Sequence, residues 1–207
     1  MTNAFSSHRE QSRDIILQLL TRLWQTKLKS ISVCEKWLGK TVDAEVKAGL
    51  QRQLIDERRH LRLIGDEIKR LGGSIATLAR ENRLGRPFAF VMTQSSDLHR
   101  LSAYHRGIKI FTLNRCGYLI PHVDINLART LEQIILDEER HIRWADMRIS
   151  RVLHSDTFSQ VLNSDEVRQC KLLMEKVETM LEAAWPKPWL DIANRRFVSV
   201  MRRRLNR

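Results

Sequence analysis

Glycine and proline are scarce in this chain of 207 residues, which holds eight of the first and four of the second. Clusters of β-branched residues are few as well, so little of the sequence favours sheet. Leu, Arg, Glu, Gln and Lys predominate, and these residues favour helix almost throughout. The cysteines are three, Cys34, Cys116 and Cys170. They are too widely spaced, and odd in number, to make a disulfide framework or a CxxC metal site. They read as thiols packed in or near a core in a reducing compartment. No apolar run approaches the roughly 18–20 residues that span a bilayer. The stretch "MTNAFSSHREQSRD" lacks the apolar centre of a signal peptide, so a cytoplasmic location is expected.

Apolar residues make up 43% of the chain and charged residues 29%. That balance, at this length, suits one domain with a sizeable core plus an appendage. The formal net charge is +12, and much of it falls in "NRRFVSVMRRRLNR". Such an excess favours an anionic neighbour, whether nucleic acid or a membrane surface, although a basic exterior also serves solubility.

Helical patterning divides the chain. One helix is expected from about His8 to Leu38, after a loose start over residues 1–7. A second runs from about Asp43 to Leu71 and stops at Gly72-Gly73. The connection "SIATLARENRLGRPFAF" follows. A third helix is expected from Thr93 to Arg115, and a fourth from Pro121 to Leu153. A fifth covers Asp165 to Ala184, "WPKPW" breaks it, and a basic helix starts near Leu190. The short joints within the first and second pairs predict two antiparallel hairpins with a longer crossover between them. Residues 1–153 then form a four-helix bundle and residues 154–207 a C-terminal helical extension.

Two segments repeat. "QLIDERRHLRLI" (53–64) and "IILDEERHIRWA" (134–145) align at a spacing of 81 residues. Asp56-Glu57 matches Asp137-Glu138, and Arg59-His60 matches Arg140-His141. The same spacing aligns Val42-Asp43 with Val123-Asp124, as a duplicated hairpin would. At about 100° per residue, Leu50, Leu54, Leu61, Ile64 and Ile68 fall within roughly 60° of Glu57. Glu57 is therefore expected in the buried stripe with His60 beside it. Glu138 is placed likewise, with His141, among Leu131, Ile134, Ile135, Ile142, Ala145 and Ile149.

A buried carboxylate costs several kcal/mol unless compensated. A divalent cation compensates it, and Glu and His three residues apart reach one ion from a single helical turn. Asp56 and Asp137 could then accept the second ring N–H of each histidine. An ionic network with buried arginines, needing no metal, accounts for the same pattern, and so does a solvated charged face if the phase is wrong.

The duplicated DE-x-R-H segments resemble those of the ferritin-like di-iron carboxylate superfamily over roughly residues 10–153. That bundle site takes a Glu-x-x-His from each of two helices and a Glu from each of the other two. The resemblance implies Glu57, His60, Glu138 and His141 as metal ligands. It also implies two irons, with manganese or a single metal as variants. The two remaining glutamates are not found. Reflecting Glu57 across its hairpin leads to "TRLWQTKL" (21–28), where Gln25 and Thr21 are the polar candidates. Reflecting Glu138 leads to "DLHRLSAYH" (97–105), with Asp97, His99 and His105.

The activity implied is that of a dioxygen-using hydroxylase or oxidase. Iron storage suits the basic charge poorly, and the cysteine-rich module of peroxide reductases is absent. Tyr104 and Trp144 are aromatic neighbours of such a centre and equally ordinary core residues. Quinone hydroxylases of the superfamily work at membranes, and one member hydroxylates tRNA. Arg195, Arg196, Arg202, Arg203 and Arg204 accordingly suit an anionic membrane, on the inner face of which the protein would be peripheral, or RNA. The alternative is a non-catalytic binding or scaffold protein with a degenerate metal site. A homodimer is compatible with either; substrate and electron donor are not named by the sequence.

Overall fold

The structure is a computed structural model that describes residues 2–75, 85–153 and 160–184. Side chains are described from Arg13 onward, except over 76–84, 154–163 and 184. The basic stretch with Arg195, Arg196, Arg202, Arg203 and Arg204, and the helix expected from Leu190, lie outside the described residues. Every element assigned is a helix, and none among the described residues is a strand. No described helix is long and apolar enough to cross a membrane.

The helices are α1 (Thr2–Leu38), α2 (Ala44–Arg70), α3 (Arg86–Thr93), α4 (Asp97–Leu101), a π-helical segment (Ser102–Lys109), α5 (Ile110–Leu119), α6 (Ile125–Leu153) and α7 (Gln160–Ala184). They fall into two compact units. The first takes residues from Met1–Gly85 and Leu119–Ile134, the second from Arg86–Tyr118 and Ile135–Arg207.

In the first unit α1 and α2 form the expected antiparallel hairpin. Leu17 packs near Gly73, Trp24 near Gly65, and Lys27 reaches Glu57. The buried face of α1 carries Leu20, Leu23, Trp24, Val33, Cys34 and Trp37. That of α2 repeats every three or four residues through Val46, Leu50, Gln53, Glu57, His60, Ile64 and Ile68. Asp43 caps α2, its Oδ1 accepting from the backbone N–H groups of Glu45 and Val46 at 2.9 Å each. Asp124, 81 residues on, does the same for α6, accepting from Asn126 and Leu127 at 3.0 and 3.1 Å. Two caps at the repeat spacing satisfy orphan helix donors in the same way. Gly72 ends α2 at φ 81, and the Gly73 N–H reaches back to the Ile68 carbonyl at 2.8 Å. That left-handed turn is open to glycine at little cost.

Several expected boundaries move. Helix α1 begins at Thr2, so residues 2–7 are helical and not a loose start. The connection contains α3, whose Pro87 sits in its first turn, where the missing N–H is no loss. The third long helix starts at Asp97 rather than Thr93, because the Ser96 hydroxyl caps the His99 N–H at 3.1 Å. Pro121 belongs to a single 3-10 turn (Ile120–His122), and α6 starts at Ile125 behind its Asp124 cap. Helix α7 begins at Gln160, five residues before the expected Asp165.

In the second unit the π-helical segment runs antiparallel to α6. His105 meets the Trp144 ring, Arg106 pairs with Asp146 at 2.6 Å, and Lys109 pairs with Glu138 at 2.7 Å. On its other side the segment packs against α7. The approach there is close: a Cβ on Gly107 would stand 2.8 Å from Val177 Cγ1 and 3.0 Å from its Cβ.

Candidate functional site

Glu57 and Glu138 are both fully buried, as their helical phase requires, and so is His60; His141 is 7% exposed. Each histidine lies one turn beyond its glutamate, with Nδ1 3.8 Å from Glu57 Oε2 in the first unit and 3.6 Å from Glu138 Oε2 in the second. A solvated face is thereby excluded for both repeats.

A third member joins each pair. Lys27 of α1 places its Nζ 3.3 Å from Glu57 Oε2, and Lys109 places its Nζ 2.7 Å from Glu138 Oε2. All four side chains are within 1% of complete burial. Each unit therefore holds a buried ammonium, carboxylate and imidazole in one cluster. The compensating cations are lysines, where the sequence led to the expectation of a metal ion or of arginines.

Physical reasons for each lysine are local. Lys27 follows Leu20, Leu23 and Trp24 by seven, four and three residues, all on the buried stripe of α1. Lys109 lies four residues after buried His105 and three before buried Thr112, on the same stripe of its own helix. Its Nζ also sits 5.5 Å above the centroid of the buried Tyr104 ring, within the reach of a cation–π attraction.

The two aspartates before the glutamates also match. Asp56 accepts from Arg59 Nη2 at 2.8 Å, and Asp137 accepts from Arg140 Nη2 across the same three-residue step. Asp137 is fully buried, while Asp56 is half-buried. Lys27 to Lys109 is 82 residues rather than 81, the one member of the cluster out of register. It falls where the helix has π geometry.

The less certain ligand candidates lie elsewhere. Asp97 takes a hydrogen bond from Arg100 at 3.0 Å and heads α4. His105 is fully buried, edge-on to the rings of Tyr104 at 5.0 Å and Trp144 at 5.4 Å. Gln25 and Thr21 are half-buried on α1. His99 points to α7, with Nε2 2.8 Å from Glu166 Oε2.

The three cysteines are buried and none forms a disulfide, as their spacing led one to expect. Burial pushes the Cys170 thiol above its ordinary value, against a smaller opposing effect of its hydrogen bond with Ser102.

No family model, curated protein or solved structure matches this chain.

Proposed function

We propose that the chain is a ferritin-like four-helix protein whose two Glu-x-x-His half-sites are neutralised from within, and that it serves as a metal-independent binding or scaffold protein. The observation that carries this reading is the pairing of each buried glutamate with a buried lysine. In the di-iron class four carboxylates balance two dications. Here, within each unit, one carboxylate meets one ammonium group, so each pair is already balanced before any ion enters. A dication added to either pair would be uncompensated, and uncompensated charge away from water is strongly disfavoured.

The position of the ammonium sharpens the argument. It contacts the same Oε2 that each glutamate turns toward its histidine. A metal ion taking that oxygen and the imidazole would have to displace the lysine. As they stand, the residues do not fit a resident pair of irons, and no reaction step is derived through one.

A second reading keeps the enzyme. The duplication of a buried Glu-x-x-His, each with its Asp and Arg, favours a dioxygen-using oxidoreductase that loads metal when the lysines swing away from the glutamates. Elemental analysis of protein purified without chelator separates the two. The first reading expects iron and manganese well below one ion per chain. It also expects no oxygen uptake on reduction, and a melting temperature indifferent to added Fe²⁺ or Mn²⁺. Two irons per chain with oxygen consumption would overturn it in favour of the second. A converse test replaces the blocking charge: Lys27→Glu with Lys109→Glu should make the fold dependent on added Fe²⁺ or Mn²⁺, restored by metal and lost with chelator.

A further inference from the structure

Away from the buried clusters, the second unit brings together a histidine, a carboxylate and a thiol whose combined presence those clusters do not explain. Helix α7 presents Glu166 and Cys170 one turn apart on the same face, as a spacing of four residues dictates. Helix α4 presents His99, whose Nε2 stands 2.8 Å from Glu166 Oε2. One donor atom from each of the three lies within 4.8 Å of the other two.

The geometry points to a site for a single borderline dication of the zinc type, bound by His99, Glu166 and Cys170 with a solvent molecule as fourth ligand.

Three features support it beyond proximity. The donor set is chemically apt: imidazole nitrogen, carboxylate oxygen and thiolate sulfur are the three protein ligands that zinc accepts in tetrahedral sites. Bonds of that class place neighbouring donors roughly 3.4–3.6 Å apart. The His99–Glu166 pair would open by a fraction of an ångström, and the thiol, within 4.8 Å of both, would draw in by no more than about 1.4 Å. Both are within rotamer adjustment.

Exposure is graded in the way an open site needs. Cys170 is 6% exposed at the floor, whereas the side chains of His99 and Glu166 are 20% and 36% exposed at the rim. An ion can enter from that rim, and a water can complete its shell.

The framework is also fixed. Ser96 caps the turn that carries His99, and the Gly107–Val177 contact sets the height of α7 over the π-helical segment. Ser102, one turn beyond His99, bonds with the Cys170 thiol and donates to the Leu98 carbonyl at 3.0 Å. These contacts hold the two helices in place, and only the Ser102 bond engages a donor, which a bound ion would take over. A plain hydrogen bond between His99 and Glu166 needs no cysteine beneath it.

Cobalt(II) is the probe, because a thiolate bound to it gives a near-ultraviolet charge-transfer band and a tetrahedral site gives intense visible bands. Titration of the reduced full-length chain should reach one cobalt per chain with both signatures, and zinc(II) should abolish them. Cys170→Ser should remove the charge-transfer band. His99→Gln and Glu166→Gln, at half-exposed positions that should leave folding intact by circular dichroism, should each weaken binding at least tenfold. Cys34→Ser, Glu57→Gln and Glu138→Gln, where folded, should leave the bands unchanged. Absence of the thiolate band in the wild type overturns the proposal. So does its survival in Cys170→Ser, or binding undiminished in both rim variants. None of these outcomes depends on whether the buried lysine clusters exclude iron.

Discussion

Lys109 Nζ lies 2.7 Å from Glu138 Oε2, and neither side chain reaches water. Breaking that pair from one side leaves the other charge stranded. Lys109→Met is expected to destabilise the protein by about 3–5 kcal/mol, the range for removing one partner of a buried pair. Lys109→Met combined with Glu138→Leu should recover most of the loss, because replacing both charges with apolar groups is often neutral. Urea unfolding of the two single variants and the double variant measures this. Equal losses in all three would show that packing volume, not charge, is what the pair supplies.

The same cycle on Lys27 and Glu57, 3.3 Å apart, should give a coupling of the same sign. If only one of the two pairs couples, the duplicated clusters have diverged in their energetics although they share residue types.

Gly107 has no room for a side chain toward α7. Gly107→Ala is expected to cost about 1–3 kcal/mol, as overpacking does. Adding Val177→Ala should return part of it, since it removes the Cγ1 atom that stands nearest and leaves the Cβ. A thermal melt of the single and double variants decides the point.

Acid should weaken the joint between α2 and α6 in the first unit. Arg70 Nη2 donates to Asp124 Oδ2 at 2.8 Å, and that bond, followed by the Leu127 N–H, holds the Asp124 carboxyl below its usual range. Since the folded value is the depressed one, the contribution is fully present above the unfolded value near 3.9. It is lost as pH falls through the folded value. Both side chains are over a third exposed, so the pair is worth no more than about 1 kcal/mol and less in high salt. Asp124→Asn keeps the cap but not the charge. Its stability difference from wild type should shrink below pH 4, whereas Asp124→Ala should lose about 0.5–2 kcal/mol of cap as well.

Helix existence and the buried phase of Glu57, His60, Glu138 and His141 were legible because the 3.6-residue period is strong on both segments. Lys27 was legible too, since it lies in "TRLWQTKL" on the same stripe as Leu23 and Trp24. Its charge marks an ion pair, whereas a ligand set at that point calls for an acidic or neutral side chain. Lys109 was harder. Reflection across the hairpin assumed an unbroken α-helix and ended four residues short, at His105. Nothing in the periodicity announces a π-helical stretch, which is set by how side chains pack from both sides. Helix α3 is too short for its pattern to separate it from a connection, and the Ser96 and Asp124 caps, not the apolar stripes, fixed where the next helices begin.

The π-helical segment from Ser102 to Lys109 winds more residues into each turn than the helices around it. Deleting one residue from an ordinary helix swings everything beyond it by about 100°. Here the slack could instead be taken up by tightening the coil, leaving Leu101 and Thr112 on their present faces. This stretch is thus where the chain can shed a residue and keep its shape.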